Sequence, residues 1–317
     1  MKKLKNMYSS VPEAGIITAL LVLMVITQIY NEKFLTFANM TTLLKSIPFI
    51  GLVALGSSIC LLTGGLDLAC GRIAGLCGMV FGFTHTVMGL SLPVSIILGV
   101  FTGVAFGIVH GLGTVKLGIN AFIVTMGTLY VSGGLRYIIN HGDPMNLPPS
   151  YRDFSQATPL GISWMFWIVV AIFIIIGFIQ AKTKFGRSMY AVGNNAKVAE
   201  LQAINVGRVK FIAYVICGLF SGMAGVMATF DINSSQAATG TGWEFQAIAA
   251  CFVGGTSLSG GKGRAFGVAI GVFFIFVMDN IINMIGVSYY WAECFTGLVL
   301  LGSVLFDAYR KNKKIRA

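Results

Sequence analysis

The chain has 317 residues, of which 56% are hydrophobic and only 10% charged, with a mean hydropathy of +0.83. A soluble chain carries about 25% charged residues to cover its outside, so this composition excludes a soluble domain, a disordered chain and a collagen-like fibre. The net charge of +11 would fit a nucleic-acid partner, but the placement of the basic residues along the chain argues against one.

Apolar residues run in continuous blocks rather than in two-residue alternation, which excludes a membrane β-barrel and predicts membrane helices. At about 20 apolar residues per crossing, the chain holds about ten spans. They are placed at 13–31, 42–63, 72–88, 92–112, 119–139, 162–180, 209–229, 244–256, 264–285 and 290–306. The eighth is short and runs into a glycine-rich stretch, which leaves nine and eleven open. The predicted fold is all-α, a polytopic membrane helix bundle with residues 1–317 forming one transmembrane domain.

Lys2, Lys3 and Lys5 precede the apolar run Gly15–Tyr30. No small-x-small cleavage site follows, so the run reads as an uncleaved first span rather than a signal peptide. With the N-terminus in the cytoplasm, only Lys33, Lys45, Arg136 and Arg152 of the 22 Lys and Arg fall outside. That bias fixes the orientation with both termini cytoplasmic. The basic cluster Arg310–Arg316 is then an anchor on the anionic lipid bilayer, not a nucleic-acid tail.

Gly64-Gly65-Leu66-Asp67-Leu68-Ala69-Cys70-Gly71 interrupts an apolar region with a carboxylate. A glycine-broken helix with an ionisable group lines a substrate cavity in many transporters. Asp67 equally fits a structural pairing with Arg72, or a helix cap. Glycines four apart, such as Gly99, Gly103, Gly107 and Gly111, predict close helix packing. His85, His110 and His141 are far apart and read as ordinary interhelical or loop residues. The six cysteines form no CxxC and read as small packing residues, so neither a metal nor a cofactor on this chain is expected.

Two connections are long. Residues 140–162, on the outer side, hold four prolines and form a candidate docking surface. Residues 181–210, on the inner side, carry six basic residues against one acidic residue, Glu200. Within it Asn194–Ala203 reads as a short helix capped by Asn194 or Asn195, suited either to contact with a soluble partner or to fixing orientation alone. Leu258-Ser259-Gly260-Gly261 spells part of an ATPase signature, but no phosphate-binding loop accompanies it, so the chain hydrolyses no nucleotide by itself. In the ninth span Asp279, Asn280 and Asn283 must face protein or water; they hydrogen-bond a polar substrate or join helices. Glu293 sits beside Tyr289, Tyr290 and Trp291, an interfacial aromatic belt.

Four segments in order resemble the permease subunits of ribose/xylose/arabinose/galactose-type sugar ABC importers. They are Thr63–Gly71 (TGGLDLACG), Gly186–Val206 (GRSMYAVGNNAKVAELQAINV), Gly240–Gly261 (GTGWEFQAIAACFVGGTSLSGG), and the region of Asn280 and Gly286-Val287. Departures are Gln246 in place of the family's Asp, Gln202-Ala203 in place of residues that include its Gly, and Ala69-Cys70 in place of Ser-Val. The resemblance implies a subunit of the bacterial cytoplasmic membrane that forms the pathway with a second permease chain, identical or a close paralogue. It implies a separate ABC ATPase carrying ATP and Mg, and an extracytoplasmic sugar-binding protein. It implies ATPase coupling through Asn194, Lys197, Glu200 and Arg208 within 181–210, and Asp67, Asn280 and Asn283 along the pathway. A nucleoside, inositol or signalling-sugar cargo is the near alternative; an ion-coupled transporter acting alone is the distant one.

Overall fold

The structure is a computed structural model that describes residues 13–151, 156–286, 291, 294–302 and 305. The described residues are helical except for loops and one two-residue strand pair. Six helices are long and apolar enough to cross a membrane. They are α2 (Phe37–Leu62), α4 (Leu92–Gly111, prolonged by a π turn Leu112–Lys116), α5 (Ala121–Ile138), α6 (Trp164–Lys182), α9 (Val206–Ile232) and α11 (Ala265–Met284). Helix α1 (Ala14–Tyr30) covers the expected first span. Of the expected last span only residues 291, 294–302 and 305 are described, all helical. Glu293 and the clusters Lys2–Lys5 and Arg310–Arg316 lie outside the described residues.

Two expected spans are not among these six, and one of them is a short helix. The third begins at Cys70 as α3 (Cys70–Gly82), with a π turn Phe83–Val87 as its continuation. The eighth is α10 (Trp243–Val253), 11 residues long. That is about 16 Å of rise, half of a hydrocarbon core of about 30 Å. Glycines bound it on both sides: Gly242 (φ 84°) and Gly255 (φ 84°) adopt the left-handed backbone that side chains resist.

The core is built on α9, which packs on α4, α2 and α3. Small residues make this possible, as the four-residue glycine spacing predicts. A Cβ on Gly103 would strike the Gly218 carbonyl, and one on Gly225 the Ala74 carbonyl. Backbones therefore meet directly across these helix pairs. By contrast α6 turns Ile174, Ile175 and Phe178 outward, exposed at 67%, 57% and 63%, the apolar surface that lipid requires.

At one end of the bundle, α7 (Lys184–Asn194) and α8 (Ala196–Leu201) link α6 to α9. At the other, β1 (Met145–Asn146) in the Pro-rich connection pairs antiparallel with β2 (Ser234–Ser235), Met145 opposite Ser235. Leu147 N–H donates to the Asn233 carbonyl at 3.1 Å, and the Asn233 side chain donates back to the Leu147 carbonyl at 3.2 Å. The 140–162 connection is thus clipped to the end of α9.

Candidate functional site

The linker between α6 and α9 is built by capping side chains. Thr183 Oγ1 accepts from Gly186 N–H at 3.1 Å and opens α7, a helix the sequence reading did not isolate. Asn195 Oδ1 accepts from Val198 N–H at 3.2 Å and opens α8, so of the two expected caps Asn195 is the one used. Asn194 instead ends α7, its amide donating to the Tyr190 carbonyl at 2.9 Å. Helix α8 closes with Ala203 N–H to Glu200 O (2.9 Å) and Ile204 N–H to Ala199 O (3.0 Å), with Ala203 at φ 58°. This is the Schellman arrangement, whose left-handed position glycine normally fills. It explains why the resembling family carries a glycine where this chain departs from the pattern. Lys197, Glu200 and Arg208 are exposed. So are Val198 (47%) and Leu201 (87%), apolar side chains the sequence reading passed over.

This linker is pinned to two glycine turns. Gly261 N–H donates to the Leu62 carbonyl at 2.9 Å, and Tyr190 Oη donates to the Gly263 carbonyl at 2.8 Å. Ala265 N–H donates to Gln180 Oε1 at 2.8 Å. Gly193 lies against Leu62 and Gly261 so closely that a Cβ there would overlap both backbones. Burial raises the Tyr190 hydroxyl above the ordinary tyrosine range, opposed in part by the Arg264 charge, which keeps it a donor. Three of the motif segments, Thr63–Gly71, Gly186–Val206 and Gly240–Gly261, therefore converge on one junction. Leu258–Gly261 serves there as a turn, with Ser257 N–H donating to the Lys262 carbonyl at 3.0 Å.

Asp67 is 1% exposed. Its Oδ1 accepts from Ala69 N–H at 2.9 Å, and its Oδ2 lies 3.0 Å from His110 Nδ1. His110 Nε2 is 2.6 Å from Thr128 Oγ1. The cap-like reading of Asp67 fits this geometry, but the pairing with Arg72 does not: Arg72 Nε faces Glu244 Oε1 at 3.9 Å instead. His110 is the partner the sequence did not offer, because its ring comes from α4, 43 residues away. Asn280 exchanges two hydrogen bonds with Asn39 of α2, at 3.0 and 2.9 Å. Asn283 is exposed, and Asp279 Oδ1 is buried without a partner among the described residues. Asn39 starts α2, and the Asp67 turn packs beyond Cys60, with Gly65 N–H on the Cys60 carbonyl. Those 21 residues rise about 30 Å. The structure therefore places Asp67 and Asn280 near opposite ends rather than in one cluster.

A second polar group lies at half height. Trp243 stacks on Phe49, the middle of α2, at 6.1 Å. Further along, Cys251 Sγ contacts the Ala54 carbonyl at 3.2 Å. So α10 starts midway and runs alongside α2. The start of α3 meets it there: Gly71 lies against the Glu244 backbone and carboxylate, with Gly240 (φ 81°) against Gly71 and Gly75. Arg136 Nη1 donates to the Thr239 carbonyl at 2.7 Å and Nη2 to Thr241 Oγ1 at 3.3 Å. The Arg72 guanidinium lies 5.8 Å from the Tyr130 ring centre. Arg136 is therefore buried and Arg72, part-exposed, lies on a helix at half height, so neither is a loop marker of membrane side as counted from sequence; removing both leaves the charge bias strong. An ionisable residue inside an apolar run was the signal available for them. Among the described residues, no three His, Cys, Asp or Glu come together at metal-binding distance.

Residues 39–304 match the family described as branched-chain amino acid transport system / permease component. The ribose import permease protein of Bacillus subtilis (strain 168) is 38% identical over 297 residues, covering 92% of this chain and 92% of that protein. The L-arabinose transport system permease protein of Escherichia coli (strain K12) is 34% identical over 303 residues, 95% and 92% of the two chains. The autoinducer 2 import system permease protein of Salmonella choleraesuis (strain SC-B67) is 31% identical over 296 residues, 93% and 85%. No solved structure matches the chain.

Proposed function

The chain belongs to the permease family of sugar ABC importers, and from that premise we propose that it forms the pathway of an ATP-driven, binding-protein-dependent importer of ribose or a similar monosaccharide. Two permease chains, identical or paralogous, enclose the pathway in the bacterial cytoplasmic membrane. The end bearing α7 and α8 faces the cytoplasm, as the basic residues there require. ATP and Mg are held by the partner ATPase, and this chain supplies no cofactor site. An extracytoplasmic binding protein delivers sugar to the face formed by 140–162 and the start of the 233–242 connection.

The observation that carries this reading is α8. It packs on the bundle end through Ala199 and leaves Val198 and Leu201 exposed beside Lys197 and Glu200, while the junction behind it is pinned to the Gly64 and Gly261 turns. An exposed apolar pair among charges at the water-facing end is a docking feature, and its anchorage gives a push on α8 a direct route into the helix bundle. Asn194 and Arg208 flank it, as end of α7 and first turn of α9. Asp67, Asn280 and Asn283 act as organisers of the pathway at its two ends. A signalling-sugar cargo is the second reading, favoured by the likeness to an autoinducer 2 permease.

Reconstitution in liposomes tests the reading. Uptake of radiolabelled D-ribose or L-arabinose is expected only with the ATPase, ATP and the binding protein present. Uptake by the permease alone under an ion gradient would refute it. Within the assembled importer, Leu201→Asp, or Lys197→Ala with Glu200→Ala, is expected to reduce co-purification of the ATPase at least about ten-fold. Undiminished co-purification would remove α8 from the coupling role.

A further inference from the structure

We propose that Arg72 and Tyr130, with Glu244 buried behind them, form a wall of the pathway at half depth that takes one face of a neutral polyhydroxylated ring. The inference rests on the sugar-importer reading above and adds the site within the pathway.

Depth comes first. The starts of α3 and α10 meet at the level of Phe49, the thirteenth of the 26 residues of α2. On this level the surface of the chain is not apolar. The Arg72 side chain is 29% exposed, Tyr130 is 67% exposed, and Thr241 beside them is exposed. A guanidinium turned to hydrocarbon at this depth is strongly disfavoured. The face must therefore border water or a second permease chain, unlike the Ile174–Phe178 face of α6. Two helix starts also converge here with their positive dipole ends, an arrangement that broken helices use to hold polar cargo.

Arg72 and Glu244 face each other without a hydrogen bond. Glu244 is 1% exposed, yet its Oε2 has no hydrogen-bond partner among the described residues, nor has Arg72 Nε. Their 3.9 Å separation is too long for a hydrogen bond. The part-exposed Arg72 guanidinium can donate to a ring hydroxyl, with the buried Glu244 carboxylate behind it as its counter-charge. Tyr130, stacked near Arg72, offers a flat aromatic surface to the C–H face of the ring. Arg136 is a positioning residue, since its bonds to Thr239 and Thr241 hold the loop that starts α10.

The test uses the complete reconstituted importer with Cys294→Ser, which removes the exposed cysteine of the six. Tyr130→Cys is expected to react with a charged, water-soluble methanethiosulfonate reagent and to be slowed several-fold by 100 mM D-ribose or L-arabinose. Ile174→Cys is expected to stay unreactive. In transport, Tyr130→Ala is expected to lower sugar delivered per ATP hydrolysed about five-fold. Tyr130→Phe is expected to restore it, and Phe178→Ala to leave it unchanged. A cysteine at 130 that the charged reagent does not modify, modification that sugar does not slow, or an unchanged ratio in Tyr130→Ala would each overturn the proposal. If the unaltered importer moved neither sugar, the importer reading would fall, while the reactivity at 130 would still decide whether this face borders water.

Discussion

Replacing Asp67 by alanine removes both acceptors of a buried carboxylate. The Ala69 N–H loses its partner at 2.9 Å, and His110 Nδ1 loses its partner at 3.0 Å, in a setting where Asp67 is 1% and His110 0% exposed. An unsatisfied buried polar group costs about 1–3 kcal/mol. Asp67→Ala leaves two such groups and should therefore lower stability by about 4 kcal/mol. Asp67→Asn keeps an oxygen for Ala69 N–H and a polar group opposite the ring, so it should lose only about 1–2 kcal/mol, with reduced sugar uptake as the local geometry shifts. The assay is thermal or denaturant unfolding in detergent of Asp67→Ala, His110→Ala and the double variant. A coupling energy of about 2 kcal/mol is expected for groups in direct contact. Additive single effects, with coupling below about 0.5 kcal/mol, would refute the account of the pair.

Two further outcomes follow from the backbone. Gly225→Ala sets a methyl against the Ala74 carbonyl and should destabilise by about 1–3 kcal/mol, whereas Gly127→Ala, with open space around it, should be neutral or stabilise by about 0.5–1 kcal/mol; equal unfolding temperatures for the two would discredit the packing argument. Ala203→Gly relieves a left-handed residue at φ 58° and should raise stability by about 1 kcal/mol. No gain in unfolding midpoint would show that the α8 terminus is not strained.

The parts of the molecule legible in sequence were those governed by local rules. Apolar runs located the long helices, four-residue glycine spacing located the close helix contacts, and the α8 cap was narrowed to Asn194 or Asn195, of which the structure uses Asn195. The partners of Asp67 and Arg72 were not legible. Arg72 is five residues from Asp67 and made the obvious candidate, yet α3 turns it toward Glu244, 172 residues on, and brings Asp67 to His110. Such pairings depend on helix rotation and depth, which one sequence does not encode locally. The shortness of α10 was visible only as a glycine-rich border, and α7 was hidden because a short amphipathic helix in a basic linker resembles a loop. The importance of Glu244 was masked because it looked like one more residue of a motif, and its depth emerges only when Trp243 is seen against Phe49.

Helix α9 runs 27 residues without a break, about 40 Å. One end is tied by Asn233 and β2 to the proline-bearing strap, and the other follows directly from α8. Anything that grasps the strap and anything that grasps α8 thus hold opposite tips of the same rod, and that rod is also the spine against which the glycine-lined helices lie. No loop stands between the two tips to absorb a displacement of either one.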